Sequence, residues 1–457
     1  MDRQISENLT AKYNLPVPRY TSYPTVPFWK EDIGTKRWAD TFKKRFISSN
    51  QTEGISLYIH LPFCESLCTY CGCNKKITTN HSIEPEYISA IKKEWDHYLQ
   101  LMGEKPVIRE LHLGGGTPTF FSPENLTNLL RYIFKDSIIH DRHEFSIEGH
   151  PNNTSLSHLE ALHLLGFRRI SYGVQDLDTE VQRIINRIQP LRNVRKATEG
   201  ARILEFDSVN FDLIYGLPKQ TLASLEKTIQ QTLELKPDRV AFYSYAHVPW
   251  TSRGQRLFDE NDLPSAKEKM QLYLLGKKMF TDAGYIDIGM DHFALPDDDL
   301  NIAFEEGRLH RNFMGYTTQR TGMLIGLGVS SISDLGVAFA QNEKALHDYY
   351  ARINNNELPV FRGYFLSKED IAFRKYILDI SCQGKTTFKK EELDTIKEIS
   401  FPVLEKLRED GLVDYDEMGL QVTELGRHFI RNICSAFDLY LQRNKNATGN
   451  QVFSKAI

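Results

Sequence analysis

Short apolar runs alternate with longer amphipathic segments from about residue 56 onward, and this alternation restricts the fold more than any other feature. The amphipathic segments include Ile83 to Met102, Pro123 to Phe134 and Thr221 to Leu235, whose apolar spacing predicts helices. Strands that alternate with helices predict βαβ units and a parallel sheet. We therefore predict an α/β fold built on a partial (β/α)6-type barrel, with an open doubly wound sheet as the alternative. The apolar runs are "SLYIHL", "IRELHLGG", "FSIEGH", "RISYGVQ", "NFDLIYG", "RVAFYSY", "DIGMDH" and "LIGLGVSSI".

The two ends of the chain differ from this central pattern, which predicts a barrel domain over residues 51–358. Residues 1–50 show little regular pattern, and "PRYTSYPT" predicts an aromatic, extended arm that covers the active site. Residues 359–457 predict a mainly helical, winged-helix-like domain, with an amphipathic stretch at 390–409, a hairpin in "GLVDYDEMGLQVT" and a final helix from Glu424 to Leu441. The many acidic residues of the 390–409 stretch favour docking over DNA binding.

Composition excludes several classes of partner. The net charge of −4 gives no basic field for nucleic acid. The first residues lack the apolar core of a secretory signal, and no apolar run has the roughly 18 residues of a membrane helix. We therefore expect a cytoplasmic protein without a membrane or nucleic-acid partner. Thiols stay reduced in that compartment, so clustered cysteines indicate metal or redox chemistry.

Four of the six cysteines lie within ten residues, as C-x3-C-x2-C-x-C. Four thiolates would suit a tetrahedral zinc ion, but zinc sites usually use two separated cysteine pairs, and no second pair is nearby. Three thiolates would suit three irons of a [4Fe–4S] cluster, with the fourth iron open to a ligand. We favour the cluster. Cys382 and Cys434 stand alone in apolar helical contexts and are interpreted as buried, inert thiols. The clustered residues are Cys64, Cys68, Cys71 and Cys73.

Polar residues follow the ends of the predicted strands, where (β/α) barrels carry their active sites. In "LHLGGGTPT", three glycines after a strand allow a backbone to approach a ligand closely, although a tight structural turn is the simpler interpretation. The stretch lacks the motifs of a phosphate-binding loop. The other residues at these ends are His112, Glu148, Gln175, Asp212, Asp291 and His292.

The cysteine spacing after a strand, with an aromatic residue before the third cysteine, resembles the signature of the radical S-adenosylmethionine (SAM) superfamily. "LHLGGGTPT" resembles the element that holds the SAM amino group in that superfamily. The resemblance implies a [4Fe–4S] cluster whose open iron chelates SAM, and a 5′-deoxyadenosyl radical formed after one-electron reduction. The cofactor supplies such chemistry, and the protein orients it and excludes water.

The sequence is similar, nearly end to end, to the family of oxygen-independent coproporphyrinogen III oxidases. The family resemblance implies decarboxylation of two propionates of coproporphyrinogen III to vinyl groups, giving protoporphyrinogen IX. It also implies two bound SAM molecules, a low-potential electron donor such as flavodoxin or ferredoxin, and a monomer. The motifs that carry it are "PRYTSYPT", "YIHLPFCESLCTYCGCNKK", "LHLGGGTPT", "YGVQD", "NFDLIYGLPKQT", "YAHVPW", "GMDHFALPDD", "LHRNFMGYTTQ", "IGLGVSSIS" and "GRHFIRNIC".

The resemblance assigns roles residue by residue. Cys64, Cys68 and Cys71 match the cluster ligands, and Cys73 matches a cysteine that does not ligate. Positions that contact the first SAM are Tyr58, Gly115, Glu148 and Ile332. Positions that contact the second SAM are Tyr70, Gly116, Thr117, Gln175, Arg187, Asp212 and Ala246. The residues expected at the reaction itself are Tyr58, Glu148, Phe313 and Ile332. Without the resemblance, Ile332 and Ala246 would be interpreted as core and Arg187 as a solvated helix residue.

Some polar residues keep two interpretations. Arg19 and Arg311 either pair with substrate propionates or lie on the surface. Five histidines are either catalytic or simply buried or solvated: His60, His112, His247, His292 and His310. The chain also departs from the family pattern at Met314, where glutamine is common, and at "EGHPNN" and "QRTGML". A thioether cannot make the hydrogen bonds of an amide.

Two other functions compete with the oxidase. A related haem chaperone would bind and deliver haem, but its loop typically lacks a fourth cysteine and its chain lacks the "PRYTSYPT" arm. A zinc-stabilised winged-helix regulator would require zinc at the cysteine loop.

Overall fold

The structure is a computed structural model that describes residues 7–444 and 453–456. Its frame, within those residues, is a 13-stranded mixed sheet. Six of its strands run parallel and lie side by side in chain order, and a seventh parallel strand, Met323–Leu327, pairs with the outer side of the first. The six are Ile55–Leu61, Val107–Gly115, Ile138–Gly149, Arg169–Gln175, Ser208–Tyr215 and Arg239–Ser244.

Chain order across the sheet distinguishes the two predicted architectures. A doubly wound sheet reverses its strand order at a switch point, whereas strands added one after another form the wall of a barrel. The six strands show no reversal, and the sheet ends at Lys30–Glu31 on one edge and Ile286–Gly289 on the other. The predicted partial barrel is therefore confirmed, and its wall stays open.

Helices follow the parallel strands, as the periodicity predicted. Buried residues of the strands and helices form one large core; Leu57, Ile91 and Leu111 are among its fully buried members. No helix of the described chain has both the length and the apolar character that crossing a membrane requires. The helices are Glu84–Met102, Pro123–Lys135, Leu156–Leu164, Thr179–Ile184, Leu191–Ile203, Leu222–Glu234 and Ala266–Asp282.

Two predicted strands are each divided by a turn. "DIGMDH" contains a turn at Met290 and Asp291, which have φ values of 41° and 73°, and its two halves pair antiparallel. "LIGLGVSSI" turns after Leu327, and its second part returns as the antiparallel strand Ile332–Asp334. The prediction of one strand in each run was wrong because a glycine inside each run, Gly289 at φ 116° and Gly328 at φ 92°, lets the chain turn within it. The other antiparallel strands of the sheet are His292–Ala294, Ala338–Asn342 and Val360–Phe365.

A small hairpin outside the sheet brings residues 313–314 toward the barrel interior. Its strands are His310–Asn312 and Gly315–Thr317. The Thr317 hydroxyl donates to Glu110 at 2.6 Å, and the Thr318 hydroxyl donates to Glu144 at 2.6 Å. Two carboxylates of the barrel strands therefore hold the base of the hairpin.

The N-terminal segment is more regular than predicted. Helix Thr35–Ser49 follows a short helix, Glu7–Tyr13. The prediction of little regular structure was wrong for residues 35–49, where Trp38, Phe42 and Phe46 recur every four residues and are fully buried. Between the two helices, the aromatic coil packs on the protein: Tyr20 is 3% exposed and Tyr23 is 1% exposed.

The C-terminal region contains helices and a small three-stranded sheet, in agreement with the predicted winged-helix-like arrangement. The predicted hairpin is present, and the 390–409 stretch is helical with a π turn just before Pro402, which has no N–H to continue an α-helix. The predicted helix from Glu424 to Leu441 is interrupted, because Asp438 caps a separate short helix. The elements are helix Lys368–Gln383, strands Lys385–Thr387, Val413–Tyr415 and Gly419–Val422, and helices Phe401–Glu409, Ile430–Ser435 and Leu439–Arg443. Cys382 and Cys434 are buried free thiols, 5% and 0% exposed.

Candidate active site

The cysteine loop leaves the first parallel strand and is closed by a short parallel pair, Phe63–Cys64 with Lys76–Ile77. The Lys76 N–H donates to the Pro62 carbonyl at 2.8 Å, which fixes the end of the loop. All four of its cysteines are free; Cys73 is exposed, and the three predicted cluster ligands are half-buried. One tight, anchored loop therefore presents all four thiols.

Each predicted ligand has a hydrogen-bond donor or a cation close to its sulfur. The Thr117 hydroxyl donates to Cys64 Sγ at 3.4 Å, and Arg187 Nη1 donates to Cys68 Sγ at 3.5 Å. A hydrogen bond from Cys73, together with the nearby charge of Lys75, lowers the pKa of Cys71 to about 6. Burial acts in the other direction on Cys64 and raises its pKa to about 11. Iron binds thiolates, so donors and cations around the loop suit a cluster.

The thiols do not converge on a single point. Within residues 7–444 and 453–456, no group of three or more His, Cys, Asp or Glu side chains is arranged to hold one metal ion. In an iron–sulfur cluster each thiolate binds a different iron, so its ligands stand further apart than those of a single ion.

The glycine loop lies directly against the cysteine loop. A Cβ on Gly116 would come within 2.5 Å of the Pro62 carbonyl oxygen, and the Gly116 N–H donates to the Leu61 carbonyl at 2.9 Å. Gly115 has a φ of 120°, which favours glycine, and a Cβ there would come within 2.8 Å of the His60 ring. The glycines therefore permit close approach between the two loops as well as toward a ligand.

A cavity of about 270 Å³ opens between these loops and the hairpin tip. It brings together the four residues predicted to act at the reaction, Tyr58, Glu148, Phe313 and Ile332, with Gly115 and Cys73. The remaining lining residues are His60, Asn74, His112, Met314, Leu324, Ser330 and Ser331. Residues from the first three strands, the cysteine loop and the hairpin therefore meet at one space.

Glu148 places a negative charge on the wall of this cavity. Its carboxylate accepts from the Gly115 N–H at 3.1 Å and from His112 Nε2 at 3.4 Å. Burial alone would raise the pKa of Glu148, but the hydrogen bond and charge of His112 and the Gly115 N–H lower it below its usual value. The group is therefore ionised at neutral pH and attracts a cation.

Asp212 lines a second, smaller cavity of about 120 Å³ that shares His112, Glu148 and Met314 with the first. It accepts from the Ser171 hydroxyl at 3.0 Å and from Asn210 Nδ2 at 2.8 Å. Burial and the charge of Glu148 raise the pKa of Asp212 to about 7. Asp212 lies within its strand, opposite Gly173 and Ala241, rather than at the strand end that the sequence indicated.

Gln175 and Arg187 meet at Gly173, where the fourth strand has a bulge. Arg187 Nη2 donates to the Gly173 carbonyl at 2.6 Å, and a Cβ on Gly173 would lie 2.6 Å from Gln175 Nε2 and 2.8 Å from Arg187 Nη2. Gln175 has a φ of 65°. Bulges commonly re-aim a side chain beside an active site.

His150, the histidine of the altered stretch "EGHPNN", is neutral at neutral pH. Burial and the charge of Arg187 lower its pKa to about 3.

Gln255, which the sequence did not indicate, joins the cysteine loop to the loop after the sixth strand. Its Nε2 donates to the Tyr70 carbonyl at 2.8 Å and to the Ala246 carbonyl at 3.1 Å, and its Oε1 accepts from the Val248 N–H at 2.6 Å. It is 2% exposed. Ser252 adds a hydrogen bond from its hydroxyl to the Cys71 carbonyl at 2.8 Å. Tyr70 and Ala246, both predicted for the second SAM, are therefore held together by one buried amide.

The five candidate histidines divide between structural and cavity positions. His60 bridges Tyr58 Oη at 3.0 Å and the Asn74 carbonyl at 2.9 Å, and burial lowers its pKa. His112 lines both cavities, and His292 lines the smaller one. Among the described residues, His247 and His310 line neither cavity. His247 Nε2 lies 3.0 Å from Glu260, and burial lowers the pKa of His310 to about 4.

Comparison with known proteins gives consistent matches. Residues 58–232 match the Radical SAM superfamily. The chain is 40% identical over 456 residues to the oxygen-independent coproporphyrinogen III oxidase of Escherichia coli strain K12, and 38% identical over 460 residues to that of Pseudomonas aeruginosa, with 98% of both chains covered in each case. The solved structure of coproporphyrinogen III oxidase from Escherichia coli, described as a radical SAM enzyme, superposes with a TM-score of 0.87 at 39% identity, covering 93% of this chain and 98% of that one.

Proposed function

The chain belongs to the family of oxygen-independent coproporphyrinogen III oxidases, and from this membership we propose how its residues divide the reaction between them. Its function is that of a radical SAM enzyme of haem biosynthesis that acts on coproporphyrinogen III. The reaction decarboxylates two propionates to vinyl groups and gives protoporphyrinogen IX. The observation that carries the assignment of residues is the cavity where Glu148, the glycine loop and the cysteine loop meet. The haem-chaperone alternative is not favoured, because the matched relatives are oxidases.

Cys64, Cys68 and Cys71 would hold the [4Fe–4S] cluster. The anchored loop and the donors beside its thiols support this assignment, and Cys73 stays on the cavity side as a non-ligand. When bound, the cluster and SAM supply an electron and a 5′-deoxyadenosyl radical that removes a hydrogen atom from the propionate β-carbon.

The first SAM would lie in the larger cavity. Glu148 would accept from the SAM ammonium group and balance the positive sulfonium, because its carboxylate is ionised and faces the cavity. Gly115 gives the ligand room, and Tyr58 and His112 stack at 6.0 Å to form a wall. Phe313 and Ile332 would exclude water from the reacting carbon.

The second SAM would lie beside strands four to six, next to the cysteine loop. Arg187 offers its planar fork to a carboxylate, and Asp212 suits ribose hydroxyls. Burial of Arg187 beside the cysteine loop supports this role, since its Nε has no hydrogen-bond partner among the described residues. Gln175, Tyr70 and Ala246 would complete the site, with Gly116 and Thr117 holding the glycine loop against the cysteines.

The N-terminal arm, residues 1–50, would cover the mouth of the barrel domain, 51–358, beside the C-terminal domain, 359–457. Two contacts support this arrangement: the rings of Trp29 and Phe313 lie 5.9 Å apart, and Arg19 Nη2 donates to the Ser244 carbonyl at 2.6 Å. We further propose a cytoplasmic monomer that receives electrons from flavodoxin or ferredoxin.

Counting bound SAM tests the assignment of residues. Equilibrium dialysis of the anaerobically reconstituted protein with radiolabelled SAM is expected to give two molecules per chain. Glu148→Gln and Arg187→Lys should each remove one of them, whereas the exposed control Glu160→Gln should retain both. A single SAM per wild-type chain, or two in both variants, would overturn the two-site assignment.

A further inference from the structure

The smaller cavity has an aromatic wall flanked by two arginines that the reaction assigned above does not use. Tyr243 Oη lies 3.3 Å from His292 Nε2, and the rings of His292 and Tyr316 are 5.1 Å apart. The Arg19 guanidinium lies over the Tyr243 ring at 5.9 Å, and the Arg311 guanidinium lies over the Tyr316 ring at 5.2 Å. The two cations therefore stand at the two ends of one wall.

Arg311 is buried without a carboxylate partner. It is 8% exposed, its Nη1 contacts Met290 Sδ at 2.7 Å, and its Nε has no hydrogen-bond partner in the described chain. The ion pairs found within residues 7–444 and 453–456 include neither Arg311 nor Arg19. A buried guanidinium without an anion is costly, so such a residue indicates a ligand that brings the anion.

Charge around this wall is unbalanced. Arg19, Arg311 and Arg431 all act on Asp291, the acidic group that faces them. Arg431 uses its donors on main-chain carbonyls, including that of Pro18. Three arginines therefore face one carboxyl group, which leaves a surplus of positive charge beside the wall.

The arginines that line the smaller cavity are already paired. Arg239 binds Asp298 at 2.6 Å, and Arg169 binds Glu144. Arg19 and Arg311, beside the aromatic wall, have no such carboxylate among the described residues, so a ligand carboxylate is attracted to them rather than to the paired arginines.

We propose that Arg19 and Arg311 bind carboxylates of the substrate that are not reacting, and so hold the macrocycle against the Tyr243–His292–Tyr316 wall. This proposal rests on the function stated above, because coproporphyrinogen III carries propionate groups that remain after each decarboxylation. The planar fork of arginine matches a carboxylate in a bidentate manner. Arg19 belongs to the arm, so substrate carboxylates would also fasten the arm to the barrel.

Kinetics and direct binding test the proposal. Arg19→Gln and Arg311→Gln should each raise the KM for coproporphyrinogen III by about 10- to 100-fold, the loss expected for a charged hydrogen bond, with a much smaller change in kcat. The Kd of coproporphyrin III, the air-stable oxidised form with the same carboxylates, should rise in parallel when followed by porphyrin fluorescence. Arg311→Lys, which keeps the charge but loses the fork, should lie between wild type and Arg311→Gln.

Matched controls separate binding from folding. Arg308→Gln changes an exposed arginine three residues away and should leave KM unchanged. Iron content and SAM binding should be normal in all variants, and the tetramethyl ester of coproporphyrin III should bind wild type and variants alike. KM and Kd within about twofold of wild type in both glutamine variants would overturn the proposal. If wild type lacked turnover but the variants still lost coproporphyrin III affinity, the carboxylate site would stand and the oxidase assignment would fail.

Discussion

The Glu148 carboxylate accepts a hydrogen bond from the Gly115 main-chain N–H at 3.1 Å, which joins the end of the third strand to the glycine loop. The acid that would balance a cationic ligand is therefore fixed by the same loop that gives the ligand room. Gly115 also lies against His60, and Gly116 lies against the start of the cysteine loop at Pro62, so these elements pack directly on one another.

Gly115→Ala should disable SAM binding by crowding. The new Cβ would come within 2.8 Å of the His60 ring at a φ of 120°, and such a left-handed conformation costs about 1–2 kcal/mol in stability. Gly307→Ala is the matched control, because Gly307 has a φ of 71° but no atom within 4 Å of its Cβ position. Both variants should melt at lower temperature, and only Gly115→Ala should lose SAM binding. Equal SAM affinity in the two variants would argue against a ligand role for the glycine loop.

Three of the four cysteine-to-serine variants should fail to assemble the cluster. Cys64→Ser, Cys68→Ser and Cys71→Ser should each abolish assembly, because each proposed thiolate ligand would hold a different iron. Cys73→Ser should still load iron and sulfide, since that residue is exposed and is not among the three proposed ligands. Iron analysis and the visible absorption of anaerobically reconstituted protein measure the result. Loss of iron in Cys73→Ser equal to that in the other variants would instead support a four-thiolate site.

Asp212 should make stability depend on pH. Its pKa is raised to about 7 in the folded protein from an ordinary value of 3.8, so the folded state holds this proton more tightly than the unfolded chain. The carboxyl group therefore destabilises the fold progressively as the pH rises from about 4 to 7. Asp212→Asn should raise the melting temperature at pH 8 more than at pH 5. The exposed control Asp282→Asn should show no such difference; an identical effect at both pH values would contradict the buried, raised pKa.

Gln255→Ala should loosen the cysteine loop from the loop after the sixth strand. It leaves the Tyr70 and Ala246 carbonyls and the Val248 N–H without their partner, at a cost of about 1–3 kcal/mol. We expect a lower melting temperature and a faster loss of iron from the loaded protein. Gln230→Ala, which removes an exposed glutamine near Glu226, is the control. Iron retention equal to wild type would show that Gln255 does not position the loop.

The parts of the site that could be predicted from the sequence are short motifs that directly follow a strand. The cysteine loop, the glycine loop and Glu148 follow strand ends, and the ends of parallel strands meet at one edge, so their proximity could be predicted. Helix Thr35–Ser49 was missed because its buried face is one narrow stripe, Trp38, Phe42 and Phe46, in a segment rich in lysine and arginine. Gln255 gave no signal, since its partners come from distant segments and only the fold makes it a buried link.

The most direct measurement is turnover by the anaerobically reconstituted protein given SAM, a reductant and coproporphyrinogen III, with the products analysed by mass. We predict loss of two CO₂ per porphyrinogen together with formation of 5′-deoxyadenosine. Formation of 5′-deoxyadenosine without decarboxylation would contradict the substrate and turn attention to Met314 and His150, while stoichiometric haem binding without turnover would contradict the oxidase.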